Sequence, residues 1–269
     1  MIQPLLFDLP KPALHRDVVV YECDAGAFLT EANDAIADFQ VWDPPWVYAN
    51  DSRQSSAATH YELLDMAGIV GHLELSYRVS KPDTYLALWS TYPTQLQFLM
   101  AVVANGLRHL ADRHASSHGK PLMVADLGER DLLAAVTAGL GGWEYVSGGS
   151  WTKWLGAKPL EPGVGAHWRG DCEPLMLFRK GKPKPLKMLR NAFVSPRSPT
   201  HSEKPVGWLE QVLEAFCPVG GLALEVYAGT APAARAAAVT GRRCVSIELD
   251  AERADLARMK LDPFVPRSP

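Results

Sequence analysis

Short apolar runs alternate along this chain with stretches whose apolar residues recur every three or four positions. That alternation confines the chain to folds in which parallel strands are joined by crossover helices. Asp17-Val-Val-Val-Tyr-Glu-Cys23 reads as a strand leading into Asp24-Ala25-Gly26 and a short polar helix. Residues 37–42 (ADFQVW) read as a second strand, stopped by Pro44 and Pro45. Leu96, Leu99, Val103, Leu107 and Leu110 space out an amphipathic helix, and residues 120–126 (KPLMVAD) form a short apolar strand. A helix over residues 129–140 and an aromatic strand region over 143–154 follow. Val206, Leu209, Leu213 and Phe216 mark a helix closed by Pro218. Residues 222–227 form a strand that runs into Ala228-Gly229-Thr230 and an alanine-rich helix, and residues 244–249 form another before a helix begins at Asp250. The expected fold is α/β, a mostly parallel sheet covered on both faces, in a single domain over residues 1–269. Ligands of such sheets gather at the carboxyl ends of strands. Three of those ends carry unusual chemistry: Asp24-Ala25, Asp43–Trp46 and Glu225–Gly229.

Composition removes several classes of function. With 47% hydrophobic and 21% charged residues, the chain is neither disordered nor fibrous. No apolar run approaches the roughly 20 residues that span a bilayer. The first residues lack a basic stretch before their short apolar run, so no secretory leader is expected and the protein reads as soluble and cytoplasmic. Four cysteines without a CxxC pair read as free thiols in a reducing compartment, and eight histidines without ligand spacing predict no metal site. The net charge of −3 hides an asymmetry, because residues 1–178 carry −9 and residues 179–269 carry +6. A polyanion would meet the C-terminal part first.

Asp43-Pro-Pro-Trp46 suits one particular chemistry, the alternative being a rigid loop whose tryptophan simply packs. Consecutive prolines remove two backbone donors and aim the neighbouring carbonyls in fixed directions. A carboxylate before them and a flat ring after them suit a planar molecule bearing an amine. Asp43 and the Pro44 carbonyl can accept both amine protons, while Trp46 stacks on the ring. Residues 179–190 (RKGKPKPLKMLR) place six cations in twelve residues, broken by glycine and proline. Such a segment reads as a flexible phosphate-binding strip.

Asp43-Pro-Pro-Trp46 resembles the catalytic motif of S-adenosylmethionine-dependent amino methyltransferases, which methylate the exocyclic amine of adenine or cytosine. Trp46-Val-Tyr48 resembles in particular the adenine-N6 enzymes of DPPW type, a permuted class related to the messenger-RNA adenosine methylase catalytic subunit. Their order, with the catalytic strand early and the cofactor strand late, is also the order here. Trp143-Glu-Tyr, Trp151-Thr-Lys153 and Gly163-Val-Gly165 with Arg169 and Glu173 resemble the central block of that family. His201-Ser202-Glu-Lys204-Pro205 resembles its S-x-K-P cofactor motif, and Leu224-Glu225-Val-Tyr227-Ala-Gly229-Thr its glycine-bearing strand end. Val245-Ser-Ile-Glu248 resembles the next strand, whose acidic end takes ribose hydroxyls, and Cys23-Asp24-Ala25 the segment that meets the cofactor's adenine.

The resemblance implies a Rossmann-like, seven-stranded methyltransferase fold and S-adenosyl-L-methionine as cofactor. It implies catalytic roles for Asp43, Pro44, Pro45 and Trp46. Asp24, Ala25, Asp43, His201, Ser202, Lys204, Glu225, Tyr227, Gly229 and Glu248 would bind the cofactor, Glu225 either facing it or merely capping a helix. Tyr48, Lys180, Lys182, Lys184, Lys187 and Arg190 would meet nucleic acid, together with inserted loops at 47–95 and 179–200; within the first, Asp83–Trp89 (DTYLALW) reads as an extra strand or hairpin, residues 120–126 being preferred to it as the strand after the catalytic one. The implied activity is transfer of methyl to adenine N6 in DNA with the target base flipped. RNA adenine, or a silent nucleic-acid-binding subunit of a methyltransferase heterodimer, are the alternatives. The expected assembly is a monomer or homodimer.

Overall fold

The structure, a computed structural model, describes residues 18–46, 66–118, 127–155, 172–196 and 203–264, with 122, 158 and 159. The strands are β1 (Val18–Glu22), β2 (Ala37–Trp42), β3 (Ser80–Trp89), β4 (Glu144–Leu155), β5 (Lys158–Pro159), β6 (Cys172–Lys180), β7 (Ala192–Ser195), β8 (Leu222–Val226) and β9 (Arg243–Glu248). The helices are α1 (Ala25–Glu31), α2 (Met66–Val79), α3 (Tyr92–His118), α4 (Glu129–Gly139), α5 (Val206–Phe216), α6 (Pro232–Thr240) and α7 (Ala251–Leu261).

The strands lie in the order β1-β9-β8-β2-β3-β6-β4-β5, with β7 beside β4. The first five run parallel, whereas β6 is antiparallel to β3 and to β4. The sheet is therefore mixed and has nine strands among the described residues, where seven mostly parallel ones were expected. Side chains alternate between its faces. Tyr85, Ala87 and Trp89 of β3 pack with α5, α6 and α7 on one side. Leu86 and Leu88 face the other, against α1, α2 and α3.

Three expectations need correction. The strand beside β2 is β3, not residues 120–126, of which all but Leu122 lie outside the described residues. A strand buried on both faces reads as an unbroken apolar run, and the polar start Ser80-Lys-Pro-Asp disguises this one. Residues 66–89 are consequently a helix and a central strand rather than part of an inserted loop. Finally, α3 turns a different face inward. Phe98 and Val102 are buried while Leu96 and Leu99 are 63% and 51% exposed. Close approach to α4 decides this: a Cβ at Gly106 would come within 1.7 Å of the Ala135 carbonyl oxygen, and one at Gly139 within 1.9 Å of that of Val102. The loop expected at residues 50–60 lies outside the described residues.

Candidate active site

Parallel strands place their carboxyl ends along one edge of the sheet, and four adjacent ends meet there in the order β1, β9, β8, β2. Asp24 follows β1, Glu248 ends β9, Tyr227–Gly229 follow β8 and Asp43 follows β2. Three inter-strand steps of about 4.8 Å make this row roughly 14 Å long. The backbone ties the ends together: Cys23 N–H donates to the Glu248 carbonyl at 3.0 Å and Asp43 N–H to that of Val226 at 3.4 Å.

Asp43 sits in a row of alternating charges. Its carboxylate lies 2.8 Å from Lys204 Nζ, which is also 3.2 Å from Glu173, and Glu173 in turn pairs with Lys153. Lys204 is nearly buried and stands 5.3 Å above the Trp89 ring, within cation–π reach. Burial pushes the Asp43 carboxyl above the usual range, with Lys204 pulling the other way. Burial acts on Lys204 too, but Asp43 and Glu173 outweigh it and hold the ammonium charged. Burial likewise pushes Glu173 up, yet Lys204 and Lys153 together bring it below its ordinary value. Among these four groups, Lys153 and Glu173 were singled out in sequence only through the family's central block; neither was expected to touch the site.

The Asp-Pro-Pro-Trp segment is fixed from below. Pro44 is buried and Pro45 half-buried. Trp46, 8% exposed, meets Phe98 edge-on with centroids 6.1 Å apart and donates Nε1–H to the Trp89 carbonyl at 3.1 Å. Its ring belongs to the core, so the open stacking face expected of it is not there. Upstream, fully buried Gln40 donates to the Ser76 carbonyl at 2.9 Å and accepts from Trp42 Nε1 at 2.9 Å, which locks β2 to α2.

On the neighbouring strands, Glu248 is 6% exposed and accepts from the backbone N–H of Gly229 at 2.6 Å and of Asp250 at 3.0 Å. A Cβ added at Gly229 would meet nothing within 4 Å, so the space over this turn is open. Asp24 caps α1 by accepting from Ala27 N–H at 2.7 Å, and Ala25 is buried behind it. Tyr227 hydrogen-bonds His72 Nδ1 at 2.5 Å. Glu225 resolves to the capping alternative: it is 3% exposed, and its oxygens accept from Ala233 and Ala234 N–H and from the Ser246 hydroxyl. Burial pushes its carboxyl up to about 7 despite those bonds. With no oxygen turned to the open edge, its expected place among the cofactor ligands is corrected.

The basic segment begins elsewhere. In the β3–β6 register Lys180 faces Thr84, while Leu175 faces Trp89 at the site edge. Five residues of strand put Lys180 roughly 17 Å from that edge. Lys180 donates to the Tyr77 and Ser80 carbonyls and stands 4.4 Å above the Tyr77 ring. Lys187 pairs with Glu214 at 2.7 Å. Lys182 N–H donates to Asp83, Tyr85 OH to the Pro183 carbonyl and Leu186 N–H to that of Ala215, so the segment is pinned rather than free. The Lys182, Lys184 and Arg190 side chains are exposed on this stretch. Lys180 thus stands at the opposite end of the strands from Asp43, whereas the segment's other end returns toward the site edge, where Ser150 N–H donates to the Asn191 carbonyl at 2.7 Å. Tyr48, His201 and Ser202 lie outside the described residues.

Cys23, Cys172, Cys217 and Cys244 are free thiols, and no metal-ligating cluster occurs among the described residues. No described helix is long and apolar enough to cross a membrane. The sequence matches no protein-family model and no curated protein. Solved structures do resemble it. The complex of M1.HpyAVI with S-adenosylmethionine is 14% identical, with a TM-score of 0.57 over 90% of this chain and 98% of that one. A Thermus thermophilus protein assigned as a DNA modification methylase, also solved with S-adenosyl-L-methionine, is 18% identical, with a TM-score of 0.58 over 93% and 95%. The cytosine-N4-specific PvuII DNA methyltransferase is 11% identical, with a TM-score of 0.58 over 91% and 90%. The chain has the fold these proteins share.

Proposed function

We propose that this chain is an S-adenosylmethionine-dependent methyltransferase acting on the N6 amine of adenine in DNA, with the base flipped from the duplex. The observation that carries the reading is the Asp43 carboxylate beside two prolines at a strand end, 2.8 Å from a nearly buried lysine and next to an open glycine turn. The residues fit the cofactor. Lys204 is a compact cation for a carboxylate. Glu248 retains lone pairs for ribose hydroxyls after its two backbone bonds. Asp24 and Ala25 bound the end where an adenine would lie. The row's length of roughly 14 Å suits a nucleoside joined to an amino acid.

When bound, the cofactor supplies an electrophilic methyl group on a sulfonium. Asp43 and the Pro44 carbonyl would accept hydrogen bonds from the two N–H groups of the substrate amine and aim its lone pair, and the methylated nitrogen would then shed one proton to solvent. Lys204, held by Glu173, opposes the protonation that burial favours at Asp43. Pro45 and Trp46 hold that geometry still through the core contact with Phe98 and Trp89. Catalysis is then mainly positioning and polarisation.

Two of the structural relatives, one assigned as a DNA modification methylase and one a DNA methyltransferase, support DNA as substrate, and the two solved with S-adenosylmethionine support that cofactor. They do not choose the base, since PvuII is cytosine-N4-specific. Aspartate rather than serine before the prolines favours adenine. The test is methyl transfer from labelled S-adenosylmethionine to unmethylated DNA. Label is expected in DNA with the wild-type protein and absent with Asp43→Ala. Equal transfer by the variant would remove Asp43 from the chemistry.

A further inference from the structure

We propose that Glu203 and His72 are positioning residues that clamp the glycine turn in the shape the cofactor needs; the inference rests on the methyltransferase reading above. Tyr227, Gly229 and Ala231 alternate through this turn with φ of 61°, 55° and 51°. Left-handed backbone is unfavourable for tyrosine and alanine, and persists where the surroundings over-determine it. Two side chains from opposite faces of the sheet supply that restraint.

On one face, the Glu203 carboxylate accepts from the Thr230 hydroxyl at 2.6 Å. It also pairs with Arg235 of α6 at 3.0 Å and with Lys260 of α7, and its side chain is only 8% exposed. Glu203 immediately precedes Lys204. One carboxylate therefore restrains the turn beside Gly229 and the backbone that delivers Lys204 to Asp43. On the other face, His72 Nδ1 hydrogen-bonds Tyr227 OH at 2.5 Å, and the two rings lie 17° from parallel. His72 is wedged in place, because a Cβ at Gly26 would come within 2.5 Å of its Nε2. Burial lowers the pKa of His72 against the pull of Asp24, which favours the neutral ring that accepts the tyrosine proton.

The test deletes single hydrogen-bonding groups first and a charge only at Glu203. Thr230→Val, which deletes the hydroxyl held by Glu203, and His72→Phe, which deletes the nitrogen held by Tyr227, should each raise KM for S-adenosylmethionine about fivefold to tenfold, with kcat at saturating cofactor within about twofold. Thr230→Ser, which restores the hydroxyl, should return KM to the wild-type value. The double variant should lose less than the product of the singles, since a turn already released by one clamp gains little from the other. Glu203→Gln, which keeps an acceptor for Thr230 while dropping the charge, should lie between wild type and Thr230→Val. Variants that lose thermal stability but keep wild-type KM would overturn the inference and leave a purely structural role. A wild-type protein that binds no S-adenosylmethionine would overturn the methyltransferase reading and this inference with it.

Discussion

At the scale of single residues, the site depends on one lysine shared by two carboxylates. Replacing Asp43 by asparagine keeps its shape but removes the charge proposed to polarise the amine. About a thousandfold loss of kcat is expected with the fold intact, checked by single-turnover transfer and by the thermal midpoint. Glu203 makes a different prediction. Burial opposes its ionisation, but hydrogen bonds from Lys260, Thr230 and Arg235 bring its carboxyl from 4.5 down to about 2. An acid whose folded value is depressed stabilises the protein above its unfolded value, and that contribution disappears as pH falls through the folded one. Stability should therefore drop between about pH 4.5 and pH 2 by on the order of 3 kcal/mol, and Glu203→Gln should flatten this limb in urea titrations. Asp43, Lys204 and Gly229 stand out in sequence because motifs mark them. Glu203, Gln40 and His72 do not, because the partners that give them a role lie 27 to 155 residues away, and Glu173 stands out only through the family's central block.

At the scale of elements, the crossing of α3 over α4 depends on two glycines. A methyl group at Gly139 would collide with backbone, which cannot move aside without separating the helices. Gly139→Ala should cost about 3 kcal/mol in chemical denaturation, against near zero at exposed Gly207, where a Cβ meets nothing. The basic segment gives a second prediction. Lys180→Met removes two hydrogen bonds and a ring contact and should lower stability by about 1–2 kcal/mol, leaving DNA affinity unchanged in a filter-binding titration. Weakened DNA binding at unchanged stability would restore the segment as a nucleic-acid contact. Most helices and strands were readable from periodicity, and β2, β8 and α5 match within a residue. The failures share one cause, in that tertiary burial overrode the local pattern. The apolar run of β3 hides behind a charged start, α2 begins beyond a polar stretch, and the stripe read on α3 is the wrong face. Charge counting found the basic segment but could not show that strand register carries Lys180 to the far edge.

At the scale of the molecule, the parallel half of the sheet holds the chemistry and the antiparallel half braces it. β2 and β8 are separated by 179 residues from the end of one to the start of the other, yet they pair directly and bring Asp43 beside the glycine turn. Lys153 and Glu173, from the antiparallel strands β4 and β6, extend the charge row that holds Lys204. The most direct test is mass-spectrometric analysis of nucleosides after incubation with S-adenosylmethionine and, separately, unmethylated DNA and structured RNA. N6-methyladenine in DNA, and its loss with Asp43→Ala, is the expected result. Methylcytosine, or product in RNA alone, would contradict the assigned substrate, and no product from either with cofactor bound would contradict the assigned catalysis.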